Sequence, residues 1–154
     1  MTRSRAMGHQ RRLGTLARYW LAAHVALLMC ALPLWIRLSS LPALLRNMAA
    51  CAKPREDRNT LELDEAVAIV ARVCQWRVFH SRPFPGSCLR QSLALFRVLA
   101  QMGYPVTIHF GVRTNGPAFL GHSWVTLNGR ALAEPWSPRT YTTVYSYPLS
   151  LGRG

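Results

Sequence analysis

The spacing of apolar residues predicts two helices in the central part of the chain. The first has apolar residues at helical intervals and follows a weak capping box formed by Asn59 and Glu62. The second is expected to run from Cys88 to about Met102 and to end at Gly103. The residues that recur along the first helix are Val67, Val70, Ala71, Cys74 and Val78.

Alternation of apolar and polar residues predicts strands in the segments that follow. The stretch "PVTIHFGV" (105–112) alternates, and "TNGP" (114–117) has the composition of a turn. The stretches "LGHSWVTL" (120–127) and "RALAE" (130–134) are expected to form two strands joined around Asn128-Gly129. Helices therefore precede an antiparallel sheet, which indicates an α+β fold.

The N-terminal region has a different character. Residues 1–18 contain five arginines, whereas "YWLAAHVALLMCALPLWI" (19–36) contains no charge, and Arg37 and Arg46 flank a second apolar run. The uncharged stretch is shorter than the roughly 20 residues of a membrane span. Three interpretations stay open for this region. It forms two helices that pack on the domain or on a partner, it contacts a membrane surface through residues 19–46, or it truly spans a membrane. A polar linker follows, which predicts a helical region over 1–50, a linker over 51–59 and a domain over 60–154.

Composition narrows the range of partners. Half of the residues are hydrophobic, which favours a folded chain. The net charge of +13 favours anionic partners. No RNP, zinc-finger or helix-turn-helix signature is present, so nucleic acid is not an expected partner. The four cysteines form no CxxC pair, which argues against a metal site; no cofactor is expected, and a reducing cytoplasm is the default.

Cys88 and His122 are candidates for nucleophilic chemistry. Cys88 opens a helix, where unpaired N–H groups and the helix dipole favour thiolate, and Arg90 in the first turn adds positive charge. His122 lies within a predicted strand, and a histidine there is more often structural. We assign that structural role to His109, and Cys74 is expected in the core because it lies on the apolar stripe of its helix. His80, in a predicted loop, is also read as structural.

Glu134 is the only acidic residue after Glu65, and its relation to His122 depends on the intervening turn. A two-residue turn at Asn128-Gly129 would put Glu134 and His122 on opposite faces of the sheet. A three-residue loop with a bulge would put them directly opposite each other on one face. Asn-Gly suits both loops, and we predict the bulge because a shared function requires it. Cys88 would then be the nucleophile, His122 the base and Glu134 the residue that orients His122.

The stretch "CLRQSLALFRVLAQMGYPVTIHFGVRTNGPAFLGHSWVTLNGRALAEP" resembles the transglutaminase-like leader peptidases of lasso-peptide biosynthesis, in the stand-alone form without a leader-recognition domain. The similarity covers about Val67 to Pro135 and consists of several separated motifs in matching order. It implies a papain-like core with a catalytic triad of Cys88, His122 and Glu134. It further implies hydrolysis of one peptide bond that joins the leader to a ribosomally made precursor peptide. The family more often has aspartate where this chain has Glu134.

The resemblance also implies partners and leaves rival functions open. A small companion protein would bind and present the leader, and a separate synthetase would close the macrolactam. The expected location is the cytoplasm, with membrane association as an addition. The same triad in an acyl transferase would give a new amide instead of a free acid. A non-enzymatic alternative is a basic, membrane-associated adaptor with an inactive papain-like core.

Overall fold

A computed structural model describes residues 3–50, 61–76, 87–115, 118–134 and 140–148. For 3–13, Ser87 and Asn115 this description extends to the backbone only. The predicted linker over 51–59, Val78 and His80 lie outside the described residues.

Two helices form the N-terminal part of the described chain. Helix α1 spans Arg3–Leu38 with Pro33 inside it, and helix α2 spans Leu41–Ala50. One side of α1 contributes buried residues to the core, and α2 adds Leu44, Leu45 and Met48. Arg18 on α1 forms an ion pair with Glu65. The N-terminal helices thus share a hydrophobic core with the rest of the chain.

The two predicted helices are present as α3, Leu63–Cys74, and α4, Ser87–Gln101. The N-cap of α3 is Glu62, whose side chain makes no capping hydrogen bond, so the predicted capping box is wrong in placing Glu62 inside the first turn. At the end of α4, Gly103 adopts a positive φ of 83°. The amides of Gly103 and Tyr104 donate to the carbonyls of Ala100 and Leu99, the Schellman pattern that ends a helix.

The sheet has four antiparallel strands in the order β3-β2-β1-β4. Strand β1 spans Val106–Asn115, β2 spans Ala118–Leu127, β3 spans Arg130–Leu132 and β4 spans Thr142–Tyr147. The predicted α+β class is confirmed: four helices accompany one antiparallel sheet in the described residues. Strand β4, which pairs with β1 at the sheet edge, was not predicted from the sequence.

The two faces of the sheet have different neighbours. Val106, Ile108 and Val125 are buried in the core that the helices share. Because side chains alternate along a strand, the residues between them point to the opposite face. On that face His109 is paired with Trp124, and Gly111 is paired with His122. The candidate site lies on this second face.

Candidate active site

The turn between β2 and β3 has two residues, not the three that we predicted. Leu127 pairs with Arg130, Thr126 with Ala131, and Val125 with Leu132. Asn128 and Gly129 both have positive φ, 51° and 79°, as a type I′ turn requires. This turn matches the right-handed twist of the flanking strands, which accounts for its preference over a bulged loop.

The contact between His122 and Glu134 nevertheless exists. Nε2 of His122 lies 2.8 Å from Oε2 of Glu134. Had β3 continued, Glu134 would have faced Ser123, and its side chain would have pointed away from His122. Strand β3 ends at Leu132 instead, and Ala133 has a φ of 54°, in the left-handed region. This conformation turns the chain and brings the Glu134 side chain to the face that carries His122.

The left-handed conformation of Ala133 is costly for a residue with a Cβ. It disfavours the folded state by about 1–2 kcal/mol for an L-residue other than glycine. Such strained positions concentrate at functional sites, where surrounding contacts hold them in place. The His122–Glu134 hydrogen bond is a contact that can hold Ala133 in this conformation. The bond is largely shielded from water, since the side chains of His122 and Glu134 are 22% and 13% exposed.

The hydrogen bond to Glu134 decides which nitrogen of His122 can act as a base. An ionised carboxylate only accepts, so Nε2 is the nitrogen that donates to it. In the neutral imidazole the other nitrogen, Nδ1, is then the acceptor. A proton taken up by His122 would therefore be held at Nδ1.

Aromatic rings hold the imidazole of His122 in place. The His122 ring is stacked near the Trp124 ring, with centroids 6.0 Å apart and planes inclined by 16°. The Tyr141 ring lies 5.1 Å from the imidazole on a tilted plane. The guanidinium of Arg113 lies 5.0 Å from the centre of the Tyr141 ring. The imidazole is thus held by two rings and a carboxylate.

Gly111 makes room for the Trp124 ring. A Cβ at residue 111 would lie 2.8 Å from Cη2 of Trp124 and 3.0 Å from the carbonyl oxygen of Thr142. Since Gly111 is paired with His122 across β1 and β2, the indole crosses the sheet directly beside the imidazole. Glycine is therefore required here by close approach of an aromatic ring, and its φ is not in the left-handed region.

Cys88 lies in the first turn of α4 and is half-buried. Ser92, four residues further and hence on the same side of the helix, donates a hydrogen bond of 2.7 Å to the carbonyl of Ser123. This contact joins α4 to the residue that follows His122. Cys88 therefore lies about one helical turn, some 6 Å along the axis, from the junction with β2. No hydrogen bond joins the Cys88 thiol to His122 among the described residues, so its role as nucleophile stays a prediction.

The early end of β3 makes the contact with α4 possible. Residues that flank a two-residue turn exchange hydrogen bonds, so the backbone groups of Leu127, Val125 and Ser123 are all directed to the β3 side. Because β3 stops at Leu132, the carbonyl of Ser123 lacks a partner from that strand. The hydroxyl of Ser92 takes this position. The early end of β3 therefore leaves the Ser123 carbonyl open to α4, and the turn at Ala133 that follows it redirects Glu134.

Arg90, two residues after Cys88, and Cys74 on α3 are both buried. Arg90 is only 3% exposed, and its positive charge acts to lower the pKa of Cys74. Burial of Cys74 outweighs this effect and raises the pKa of its thiol to about 11. The Cys74 thiol also lies 3.6 Å from the sulfur of Met29. Cys74 is therefore a core residue, as predicted, and its thiol is unreactive at neutral pH.

His109 is fixed on the same sheet face as His122. Nδ1 of His109 lies 2.8 Å from Oγ of Ser146, and Nε2 lies 2.9 Å from Oγ1 of Thr126. Its ring is stacked on Trp124 with centroids 5.4 Å apart, and burial lowers its pKa. These contacts agree with the structural role predicted for His109. Through Trp124 they also support the ring beside His122.

Three contributors to the site were not identified from the sequence: Ser92, Trp124 and Tyr141. Ser92 lies four residues after Cys88 on a helix, and this spacing was the available signal. The aromatic and β-branched residues of "YTTVYSY" were a signal for β4, which begins next to Tyr141. In the described part of the chain, no group of three or more His, Cys, Asp or Glu side chains is arranged to hold a metal ion.

Comparison with protein families gives one match that covers most of the chain. A profile of the Transglutaminase-like superfamily matches residues 26–146, a range that includes Cys88, His122 and Glu134. It begins within α1 and ends within β4. No match was found among curated proteins or solved structures.

Proposed function

Because the chain belongs to the transglutaminase-like superfamily, we propose that it is a cysteine peptidase that removes the leader from a lasso-peptide precursor. The observation that carries this proposal is the 2.8 Å hydrogen bond between His122 and Glu134. His122 and Glu134 are the only histidine–carboxylate pair among the described residues. Strand β3 ends before Glu134, and the strained residue Ala133 brings Glu134 to His122. The superfamily supports cysteine-dependent acyl chemistry, and the sequence resemblance supports the choice of a leader peptide as substrate.

In the proposed reaction the Cys88 sulfur attacks the carbonyl carbon of the scissile peptide bond. Nδ1 of His122 takes the thiol proton, and Glu134 stabilises the resulting imidazolium through Nε2. The tetrahedral intermediate carries a negative oxygen, to which the backbone N–H of Cys88 at the start of α4 can donate. Collapse breaks the C–N bond while the imidazolium protonates the leaving amine, which leaves a thioester on Cys88.

Water completes the proposed cycle. His122 removes a proton from a water molecule, whose oxygen attacks the thioester carbonyl. The carbon–sulfur bond then breaks, and the proton returns to the Cys88 sulfur. The products are a leader with a free carboxyl group and a core peptide with a free amine. That amine is the group which a macrolactam synthetase would join to an acidic side chain.

The glutamate at position 134 fits this reaction through its backbone geometry. Glutamate is one methylene longer than aspartate, the residue more usual in relatives of this kind. The left-handed Ala133 turns the chain before Glu134, and the longer side chain then reaches Nε2 of His122. This arrangement supports the assignment of Glu134 as the orienting acid.

The proposed peptidase would work with partners that present its substrate. A leader-binding companion protein would deliver the precursor, so the isolated chain is expected to be slow. The net charge of +13 provides attraction for acidic regions of such partners. Cleavage in the reconstituted mixture should therefore decline as salt rises.

A mass-spectrometric cleavage assay tests the proposal. The assay combines the full chain, a lasso precursor and its leader-binding protein, and compares wild type with Cys88→Ala and Glu134→Gln. Cys30→Ala is the matched control, since Cys30 is an exposed cysteine on α1. We expect one cut that Cys88→Ala abolishes, Glu134→Gln slows by about a hundredfold or more, and Cys30→Ala leaves unchanged.

Other products would redirect the assignment. A Cys88-dependent product with a new amide in place of the free carboxyl group would identify an acyl transferase. A cut that survives Cys88→Ala would remove Cys88 as the nucleophile. Absence of any Cys88-dependent product, in a mixture where the precursor is bound, would favour the inactive adaptor.

A further inference from the structure

Helix α1 has a long apolar face that the described part of the chain leaves uncovered. Large hydrophobic residues recur on it at helical spacing across 23 positions, about 33 Å of helix. Each of them is at least 62% exposed. We call this set the α1 apolar face: Leu16, Tyr19, Trp20, Leu27, Leu34 and Leu38. A contiguous exposed surface of this size marks an interaction site.

The opposite side of α1 is occupied by the protein itself. Leu21, Val25, Met29 and Leu32 are buried in the shared core, and Arg18 is paired with Glu65 of α3. Residues Gly14–Leu38 satisfy length and composition criteria for a membrane span. A spanning orientation would carry α3, with its charged residues, into the hydrocarbon region or strip α1 from the core. The fold therefore favours a helix that lies parallel to a surface.

The charges around the α1 apolar face favour an anionic surface. Arg37 is exposed at the C-terminal end of the helix, and the sequence has four further arginines within its first 12 residues. Tyr19 and Trp20 are side chains that prefer the boundary between water and lipid. Pairing with a second copy would instead bring two chains of net charge +13 together. An anionic bilayer complements both the apolar and the basic character of this face.

We propose that α1 docks flat on an anionic membrane surface through the α1 apolar face. The helix would be immersed by about 5–10 Å, with Arg37 at the level of the lipid headgroups. The sheet and the candidate site would stay on the aqueous side, because α4 packs against both α1 and the sheet. This proposal does not depend on the proposed peptidase activity, since it rests only on α1 and its packing.

Vesicle co-sedimentation of the full chain tests the docking. Vesicles of phosphatidylcholine are compared with vesicles that contain equal parts of phosphatidylcholine and phosphatidylglycerol. The test variant carries Trp20→Ser, Leu27→Ser and Leu34→Ser, and the control is Val144→Ser, an equally exposed apolar residue on β4. Circular dichroism and thermal melting establish that the variants remain folded, which is expected because all four side chains are exposed.

We expect binding to the anionic vesicles that falls at high salt and that the triple substitution weakens by about tenfold or more. Val144→Ser should bind like wild type. Equal binding of the triple variant and wild type would overturn the proposal, as would equal binding to neutral and anionic vesicles. A dimer in analytical ultracentrifugation that the triple substitution dissociates, without vesicle binding by wild type, would assign the face to a second copy and also overturn it.

Discussion

The carboxylate of Glu134 lies 2.8 Å from the imidazole of His122, although the pairing of β2 with β3 directs these two positions to opposite faces. The relationship depends on the residue between the last strand pair and the acid. Ala133, at a φ of 54°, converts a register that separates the two groups into one that joins them. Substitutions at this residue should therefore act on the site through the backbone.

Ala133→Val should break the contact between His122 and Glu134. A β-branched residue is strongly disfavoured at positive φ, so the folded state should lose about 1–2 kcal/mol or the turn should straighten. Ala133→Gly relieves the strain and should keep both stability and cleavage. Urea unfolding and the cleavage assay measure the two effects. Ala131→Val is the control, because Ala131 lies within β3 and is paired with Thr126. Full activity in Ala133→Val would show that the turn at Ala133 is unimportant for cleavage.

Gly111→Ala should displace the Trp124 ring. The added Cβ would stand 2.8 Å from Cη2 of Trp124, and overpacking of this kind costs about 1–3 kcal/mol. Loss of Trp124 as a neighbour of His122 should also lower the cleavage rate. Gly121→Ala is a matched control on the same sheet, because a Cβ there meets nothing within 4 Å. Equal melting temperatures for the two variants would contradict the packing argument.

Ser92→Ala should loosen the junction of α4 with β2. The carbonyl of Ser123 would lose its hydrogen bond, at a cost of about 1–3 kcal/mol. If Cys88 is positioned by this junction, cleavage should fall by roughly ten- to hundredfold at temperatures where the variant is fully folded. Val70→Ala, which destabilises the core in α3, is the control for stability alone. An equal loss of cleavage in Ser92→Ala and Val70→Ala would show that the junction has no positioning role.

Cys74 should resist alkylation by iodoacetamide at pH 8 in the folded protein. Its pKa of about 11 leaves about one thiol in a thousand ionised at that pH, and the side chain is 5% exposed. Cys30, which is exposed, should react and serves as the internal reference. Peptide mapping by mass spectrometry measures both. Alkylation of Cys74 at the rate of Cys30 would contradict the burial.

The raised pKa of Cys74 also predicts the behaviour of the protein in alkali. The unfolded thiol ionises near 9.0, whereas the folded thiol stays protonated until about pH 11. The stabilising contribution of the protonated Cys74 thiol to the free energy of unfolding is therefore complete below pH 9 and is lost as the pH rises through 11. Cys74→Ala should remove this part of the pH dependence in denaturant titrations. An unchanged alkaline profile in that variant would assign it to other groups.

Much of the fold could be predicted from periodicity. The apolar stripe around Val70 and Cys74 identified α3, and Gly103 marked the end of α4. Strands β1 and β2 followed from alternation, because one face of each packs against the helices while the other carries residues such as His109 and His122. Strand β4 escaped prediction, since its first three residues are exposed and its pattern is short.

The pairing of His122 with Glu134 was predicted through the wrong geometry. Asn128-Gly129 is compatible with two loops, so local sequence could not select the register. The twist of the strands favours the two-residue turn, and the left-handed conformation of Ala133 then brings Glu134 back to the face of His122. No propensity of alanine indicates a left-handed conformation, because tertiary contacts alone make that conformation acceptable. Sequence therefore identified the partners and not the path between them.

The hydrogen bond from Ser92 to Ser123 also bears on how the protein avoids aggregation. A short β3 leaves the carbonyl of Ser123 without a partner from that strand, and an open strand edge is a template on which other chains assemble. The Ser92 hydroxyl of α4 donates to this edge carbonyl instead, and both serines are buried. The carbonyl of Ser123 is thereby not open to a further strand. The hydrogen bond that joins α4 to β2 thus also protects, at this position, the strand that carries His122 from edge-to-edge association.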